Sequence, residues 1–132
     1  MNTATSKGVK ISVKKLFQSE HSNVNEQLFL FNYTIQIENQ NTYPIQLVSR
    51  HWRIFDSLNK VRHVNGNGVI GAQPVIEAGE VYEYSSACNL VSELGHMEGF
   101  YDFAQLHSDL SQFNTFQVTV PRFKLEYPYK LN

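Results

Sequence analysis

A chain of 132 residues is the size of one domain, and eleven Lys and Arg against twelve Asp and Glu leave a net charge of -1. No like-charge run is long enough to bind nucleic acid through counterion release, so a nucleic-acid partner is not expected. Cys88 is the only cysteine, which excludes an intramolecular disulfide and suits a reducing, cytoplasmic setting. The opening MNTATSKGVK lacks the apolar core of a signal peptide, and the run Leu28 to Phe31 is far too short to span a bilayer, so no membrane partner is expected.

From Val9 the chain alternates. Val9, Ile11 and Val13 take one parity and Lys10, Ser12 and Lys14 the other, the period of a half-buried strand. Residues 18–26 are polar, rich in Ser and Asn, and read as a loop. In QLFLFNYTIQIEN the odd positions Phe29, Phe31, Tyr33, Ile35 and Ile37 are apolar, the clearest strand in the chain. Residues 39–44 end in Pro44 and carry turn chemistry.

The next strand is irregular. Ile45 and Leu47 are apolar on odd positions but Trp52 and Ile54 on even ones. A β-bulge near Ser49 and Arg50 accounts for the switch, because one extra residue re-aims every later side chain. Trp52 then belongs to the core, and Arg50, of the same parity, would need a carboxylate such as Glu80 or Glu83. Residues 56–59 make a hairpin connection to a weakly alternating edge strand over 60–64.

NGNGVIGAQP, residues 65–74, is too broken for a regular element and reads as a loop with a shape requirement. Short strands follow at 75–76 and 81–86, flanking a turn at 77–80. Residues 89–99 show no sustained period and read as a long excursion before an aromatic strand at 100–103. Residues 107–111 turn the chain, Phe116, Val118 and Val120 alternate up to Pro121, and a last short strand spans 123–127. With no sustained helical pattern, the expectation is an all-β sandwich of two antiparallel sheets filling residues 1–132, with its core at about 7–127.

Arg50-His51-Trp52, Gly66-Asn67-Gly68-Val69-Ile70-Gly71 with Gln73-Pro74, Gly79-Glu80, Tyr84-Ser85-Ser86, Gly95-His96-Met97-Glu98-Gly99-Phe100-Tyr101 and Val120-Pro121-Arg122-Phe123 together resemble the bacterial ApaG family. The resemblance runs from about Lys7 to Tyr127 and implies an immunoglobulin-like or fibronectin type III-like sandwich. It also implies a partner-binding module, since the same domain recurs in eukaryotic F-box and polymerase-interacting proteins. A genetic link to divalent-cation (cobalt or magnesium) tolerance comes with the family and names no ligand. The chain departs from the family pattern at Ala78, where proline is usual, at Ala87, where glycine is frequent, and at His63, where glutamate usually precedes Val64.

Gly66-x-Gly68-x-x-Gly71 has the spacing of a dinucleotide fingerprint, but Ala72-Gln73-Pro74 and a strand follow where that motif needs a helix. A tight loop with positive φ is the plainer reading, and a weak phosphate or nucleotide nest assisted by Arg50, Arg53 or Arg62 is the alternative. The five histidines, His21, His51, His63, His96 and His107, show no metal spacing, although His51 and His63 could meet across a hairpin. Ser85, Ser86 and Cys88 lack the flanking residues of an activated nucleophile, and Glu77 with Glu80 reads as solvated charge, so catalysis is not expected and no cofactor is implied. The expected function is non-catalytic protein binding through Gly66, Asn67, Gly68, Val69, Ile70 and Gly71 with Arg50, His51 and Arg53. The alternatives are weak nucleotide or pyrophosphate binding on the Gly66–Gly71 loop and, from the resemblance alone, a protein linked to divalent-cation tolerance.

Overall fold

A computed structural model describes residues 1–106 and 114–129. Its strands are β1 (Asn2–Ser6), β2 (Val9–Phe17), β3 (Phe29–Asn39), β4 (Ile45–Asp56), β5 (Arg62–Asn67), β6 (Val75–Ile76), β7 (Val81–Leu90), β8 (Leu94–Gln105) and β9 (Asn114–Glu126). Helical structure among the described residues is confined to two single 3₁₀ turns, Ser19–His21 and Val24–Glu26. The strands form two antiparallel sheets, in the order β1-β2-β3-β7 and β5-β4-β8-β9, with β6 paired to β4. The expected all-β sandwich is therefore the observed fold.

The alternation of β3 explains the first sheet. Phe29, Phe31, Tyr33, Ile35 and Ile37 are all buried against the second sheet, whereas Asn32 and Gln36 face water. From the second sheet Leu47, Trp52, Ile54, Met97, Tyr101, Phe103, Val118, Val120, Phe123 and Leu125 complete one shared core. Trp52 is 4% exposed, with its ring edge-on to Tyr101 and Phe123 at 6.0 Å and to Tyr33 at 5.9 Å. The core role expected from its parity holds.

Three readings need correction. β1 was not foreseen because NTATS has no apolar alternation; it is an edge strand held by ladder bonds to β2 across a turn with Lys7 and Gly8 at φ +51° and +73°. The long excursion over 89–99 does not exist, since β7 runs to Leu90 and β8 begins at Leu94. Gly95 and Gly99 sit at inward positions of β8 and hide its alternation. A Cβ on Gly99 would lie 2.0 Å from the His51 carbonyl oxygen and 3.0 Å from the Trp52 ring.

Pro121, in turn, does not end a strand. β9 continues through it, because Met97 pairs Phe123 while Gly99 pairs Val120, so Pro121 and Arg122 share one partner at a bulge on a sheet edge. A missing N–H is tolerated at such a place. The turn expected at 107–111 lies outside the described residues.

Candidate functional site

The bulge in β4 falls at Val48: Leu47 pairs Phe103 and Ser49 pairs Asp102, so Val48 has no partner on β8. Its freed carbonyl accepts from the Gly68 N–H at 2.8 Å and the Gln73 side-chain amide at 2.9 Å, tying the glycine segment to the bulge. After Val48 the strand alternates cleanly. Ser49, His51 and Arg53 face outward, whereas Arg50, Trp52 and Ile54 turn toward the other sheet.

That alternation divides the candidate residues. Arg50 lies with Gly66–Gly71 on the inward side, while His51 and Arg53 lie on the outer face. Gly66 and Asn67 belong to β5, opposite Arg50 and Ser49. Residues 69–72 form a tight turn in which the Val69 and Ala72 N–H groups bond each other's carbonyls at 2.8 and 3.0 Å, with Ile70 at φ +47° and Gly71 at φ +74°. Gly68 is also left-handed, at φ +60°, but Gly66 is not.

The positive-φ reading thus holds for Gly68 and Gly71 and fails for Gly66, whose bare Cα makes room for the Arg50 guanidinium; a Cβ there would meet Arg50 Nη1 at 2.9 Å. Arg50 also needs no carboxylate, in contrast to the pairing with Glu80 or Glu83 expected from sequence. Its Nη1 donates to the carbonyls of Asn67 at 3.1 Å and Gly68 at 2.9 Å. Charge-assisted bonds to backbone carbonyls satisfy the group locally.

The outer face of the second sheet carries an ordered polar and aromatic surface. His51 stacks on Phe100 with centroids 4.4 Å apart. Its Nδ1 meets Asn65 Oδ1 at 2.8 Å and its Nε2 meets Asp102 Oδ2 at 2.7 Å. Ser49 Oγ donates to the same Asp102 oxygen at 2.7 Å. One row along, Arg53 Nη1 bonds Glu98 Oε1 at 2.9 Å and Arg122 Nε approaches Glu98 Oε2 at 3.8 Å. Beyond it His96 stacks on Phe55 at 4.9 Å, with Arg122 Nη2 2.6 Å from its Nε2.

Burial pushes Asp102 up, but bonds from Ser49 and His51, the His51 charge and a bond from Gln117 outweigh it and hold the carboxyl below its ordinary value. Burial and the neighbouring Arg122 charge lower His96, with Glu98 opposing. A depression of about 430 Å³ opens on this face between His51, Arg53, His63, Glu98, Phe100 and Thr119.

Ser49, His51 and Asp102 are the residue types of a nucleophilic triad in another arrangement. Ser49 Oγ lies 3.4 Å from His51 Nε2, but both groups make their short bond, 2.7 Å each, to the same Asp102 oxygen, so the imidazole nitrogen nearest the hydroxyl is already engaged by the carboxylate. Cys88 is buried, and burial pushes its thiol up to about 11 against the opposing Arg62 charge. His51 and His63 are not directly opposed across the hairpin, since His51 pairs Asn65 and His63 pairs Arg53, but as diagonal neighbours both line the outer depression. Among the described residues no three of His, Cys, Asp and Glu are grouped as a metal site.

A family model described as the ApaG domain matches residues 19–105. The chain belongs to the ApaG family. A Protein ApaG from Anaeromyxobacter dehalogenans is 40% identical over 132 residues, covering 100% of both chains. One from Methylobacterium sp. is 36% identical over 129 residues, 98% of this chain and 95% of that protein. A Bordetella pertussis crystal structure described as ApaA superposes with a TM-score of 0.83 at 34% identity, covering 92% of this chain and 95% of that one.

The departures from the family pattern leave the backbone intact. The turn at 77–80 closes by a Glu80 N–H bond to the Glu77 carbonyl at 3.0 Å with Ala78 in place, Ala87 sits within β7 opposite Asn32, and His63 sits exposed beside Arg53. Sequence reasoning missed Asp102, Asn65, Glu98 and Phe100. Each answers His51 or Arg53 across a strand pair, and only the register of β5, β4 and β8 brings them together.

Proposed function

We propose that this ApaG-family chain is a non-catalytic module that binds a protein on the outer face of the β5-β4-β8-β9 sheet. One observation carries the reading: aromatic, histidine and arginine side chains stand pre-ordered on that solvent-facing surface. The outer face of the other sheet, where Leu16 and Val81 are exposed, carries no stacked rings among the described residues, and its polar groups pair with one another, Thr34 with Ser85 at 2.7 Å and Gln36 with Glu83 at 2.9 Å. Interface cores favour aromatic residues and arginine, and groups already stacked and paired lose less freedom on docking.

The stacks of His51 on Phe100 and Phe55 on His96, with the Arg53–Glu98 pair between them, are such groups. A protein partner is favoured over a phosphate on the glycine loop, because the Gly68 and Val69 N–H groups are already spent on Val48 and Ala72. The cytoplasm suits the chain, with one cysteine, buried and of raised pKa. No helix among the described residues is long and apolar enough to cross a membrane.

The test places a photocrosslinking residue at Thr119, on the proposed face, or at Glu83, on the other. In host lysate a discrete adduct forms from Thr119 and disappears with Arg53→Glu. Equal labelling from both positions, or none from Thr119, overturns the proposal.

A further inference from the structure

Where the sheets part along their β5 and β7 edges, a cleft of about 300 Å³ opens beside Arg50, Arg62, Tyr33 and Ser86, under the Val69–Ile70–Gly71 turn. Its two cations face no counter-charge within it, since no Asp or Glu lines it. The carboxylate felt nearby, that of Asp56, gives Oδ2 to the Val91 N–H and Oδ1 to the Ser92 hydroxyl. Arg62 spans the gap from β5 to β7, its Nη2 donating to the Asn89 carbonyl at 2.5 Å and lying 3.7 Å from Cys88 Sγ. Its Nε is buried and has no partner among the described residues. That atom is out of reach of solvent, but Arg62 Nη1 and Arg50 Nη2, which have no partner among the described residues and are not so enclosed, are open to an acceptor from outside the chain.

We propose that this cleft binds a compact oxyanion, a phosphate or the phosphate end of a monoester, held by the Arg50 and Arg62 guanidinium groups. The site lies on the opposite side of β4 from His51 and Arg53 and goes beyond the protein-docking reading. Its donors are arginine side chains, not the glycine-loop N–H groups. Guanidinium forks suit phosphate oxygens, and a partly enclosed setting strengthens the attraction relative to open water. The ligand must be small, because about 300 Å³ stands at the lower limit of ligand pockets, roughly 300–1,000 Å³. A phosphate group fits and a whole nucleoside triphosphate does not. The Tyr33 hydroxyl, engaged with Ser86 and raised by burial, stays protonated at neutral pH and adds no negative charge.

The test follows the arginine Nε–Hε resonances of the wild-type chain while inorganic phosphate replaces chloride at constant ionic strength. Arg62 Nε–Hε shifts saturably, and Arg50 moves with it. In Arg62→Lys the charge is kept and the guanidinium fork lost, so affinity falls at least about tenfold. Arg50→Lys, checked for a native amide spectrum, weakens binding as well. Methyl phosphate distinguishes the sources: tighter binding than inorganic phosphate assigns the site to esters, and weaker binding assigns it to the free ion. His51→Ala leaves the phosphate response intact, which separates this site from the docking face. A linear, unsaturating shift at Arg62, an undiminished response in Arg62→Lys, or ATP binding more tightly than phosphate with the shifts at the Gly68 and Val69 amides overturns the proposal.

Discussion

The three glycines of the GxGxxG segment should respond differently to alanine, because each is glycine for a different reason. At Gly71, φ is +74° and no atom lies within 4 Å of a built Cβ, so Gly71→Ala meets only the left-handed penalty. That penalty is about 1–2 kcal/mol. It is reduced by roughly 0.4–1 kcal/mol from the stiffer unfolded chain, leaving about 1 kcal/mol net. At Gly68, φ is +60° and the Cβ would sit 1.9 Å from the Ala72 carbonyl oxygen, a backbone atom that cannot rotate away.

To make room, residue 72 must move by more than 1 Å (roughly the shortfall from van der Waals contact), which breaks the paired Val69–Ala72 bonds and strains the Gly68 bond to Val48. At about 0.5–1.5 kcal/mol per bond, added to the left-handed penalty, Gly68→Ala costs about 3–4 kcal/mol. Gly66→Ala meets only the mobile end of Arg50, 2.9 Å away, and falls below Gly68→Ala. Urea unfolding followed by Trp52 fluorescence measures all three. With a slope of about 1.5 kcal/mol/M, the midpoint drops by roughly 2 M for Gly68→Ala and under about 1 M for Gly71→Ala. Equal midpoints for these two would refute the close-contact argument and leave backbone conformation as the whole effect.

Trp52→Ala removes the ring that Tyr33, Tyr101 and Phe123 pack against and should cost about 3–5 kcal/mol; an unchanged denaturation midpoint would contradict a core role. The hydroxyls of Tyr84 and Tyr101 bond each other inside the core, so either single Phe variant strands a hydroxyl at about 1–3 kcal/mol. The double Phe variant should lose clearly less than the sum of the singles, which a double-mutant cycle reads directly. Asp102 is held below its ordinary pKa, so its contribution to stability is present above the usual carboxylate range and is lost as pH falls through the lowered folded value. The stability gap between wild type and Asp102→Asn, followed by urea unfolding from neutral pH downward, should therefore close with acidification; a gap that widens would reverse the sign.

Much of the fold was legible because its strands bury one face. β3 announces itself through five odd-position apolar residues, and the parity switch in β4 located a bulge within a residue or two of Val48. β8 was illegible where glycine fills inward positions: Gly95 and Gly99 admit the Phe55 and His51 backbones, and a side-chain pattern cannot register a side chain that is absent. β1 was hidden because an edge strand needs only backbone partners. The site was half legible. Arg50, His51, Arg53 and the glycines stood out, but their division between two faces depends on where Val48 falls. Asp102, Asn65 and Phe100 become visible only once the ladder register is known.

Val48 is the one residue of β4 that β8 does not need. Deleting this one residue would leave a regular strand, because Leu47 and Ser49 already pair the consecutive Phe103 and Asp102; His51 and Arg53 would stay outward and Trp52 and Ile54 inward, and what would be lost is the carbonyl that holds the glycine segment. Substitution at Val48 is a milder change, because the neighbouring elements use its backbone carbonyl, bonded to Gly68 and Gln73. The presence of an extra residue at 48 is thus under tighter constraint than its side chain. As sequences drift, length in this segment should hold while that side chain varies, and loss of the extra residue should be accompanied by rebuilding of the 68–73 turn that it anchors.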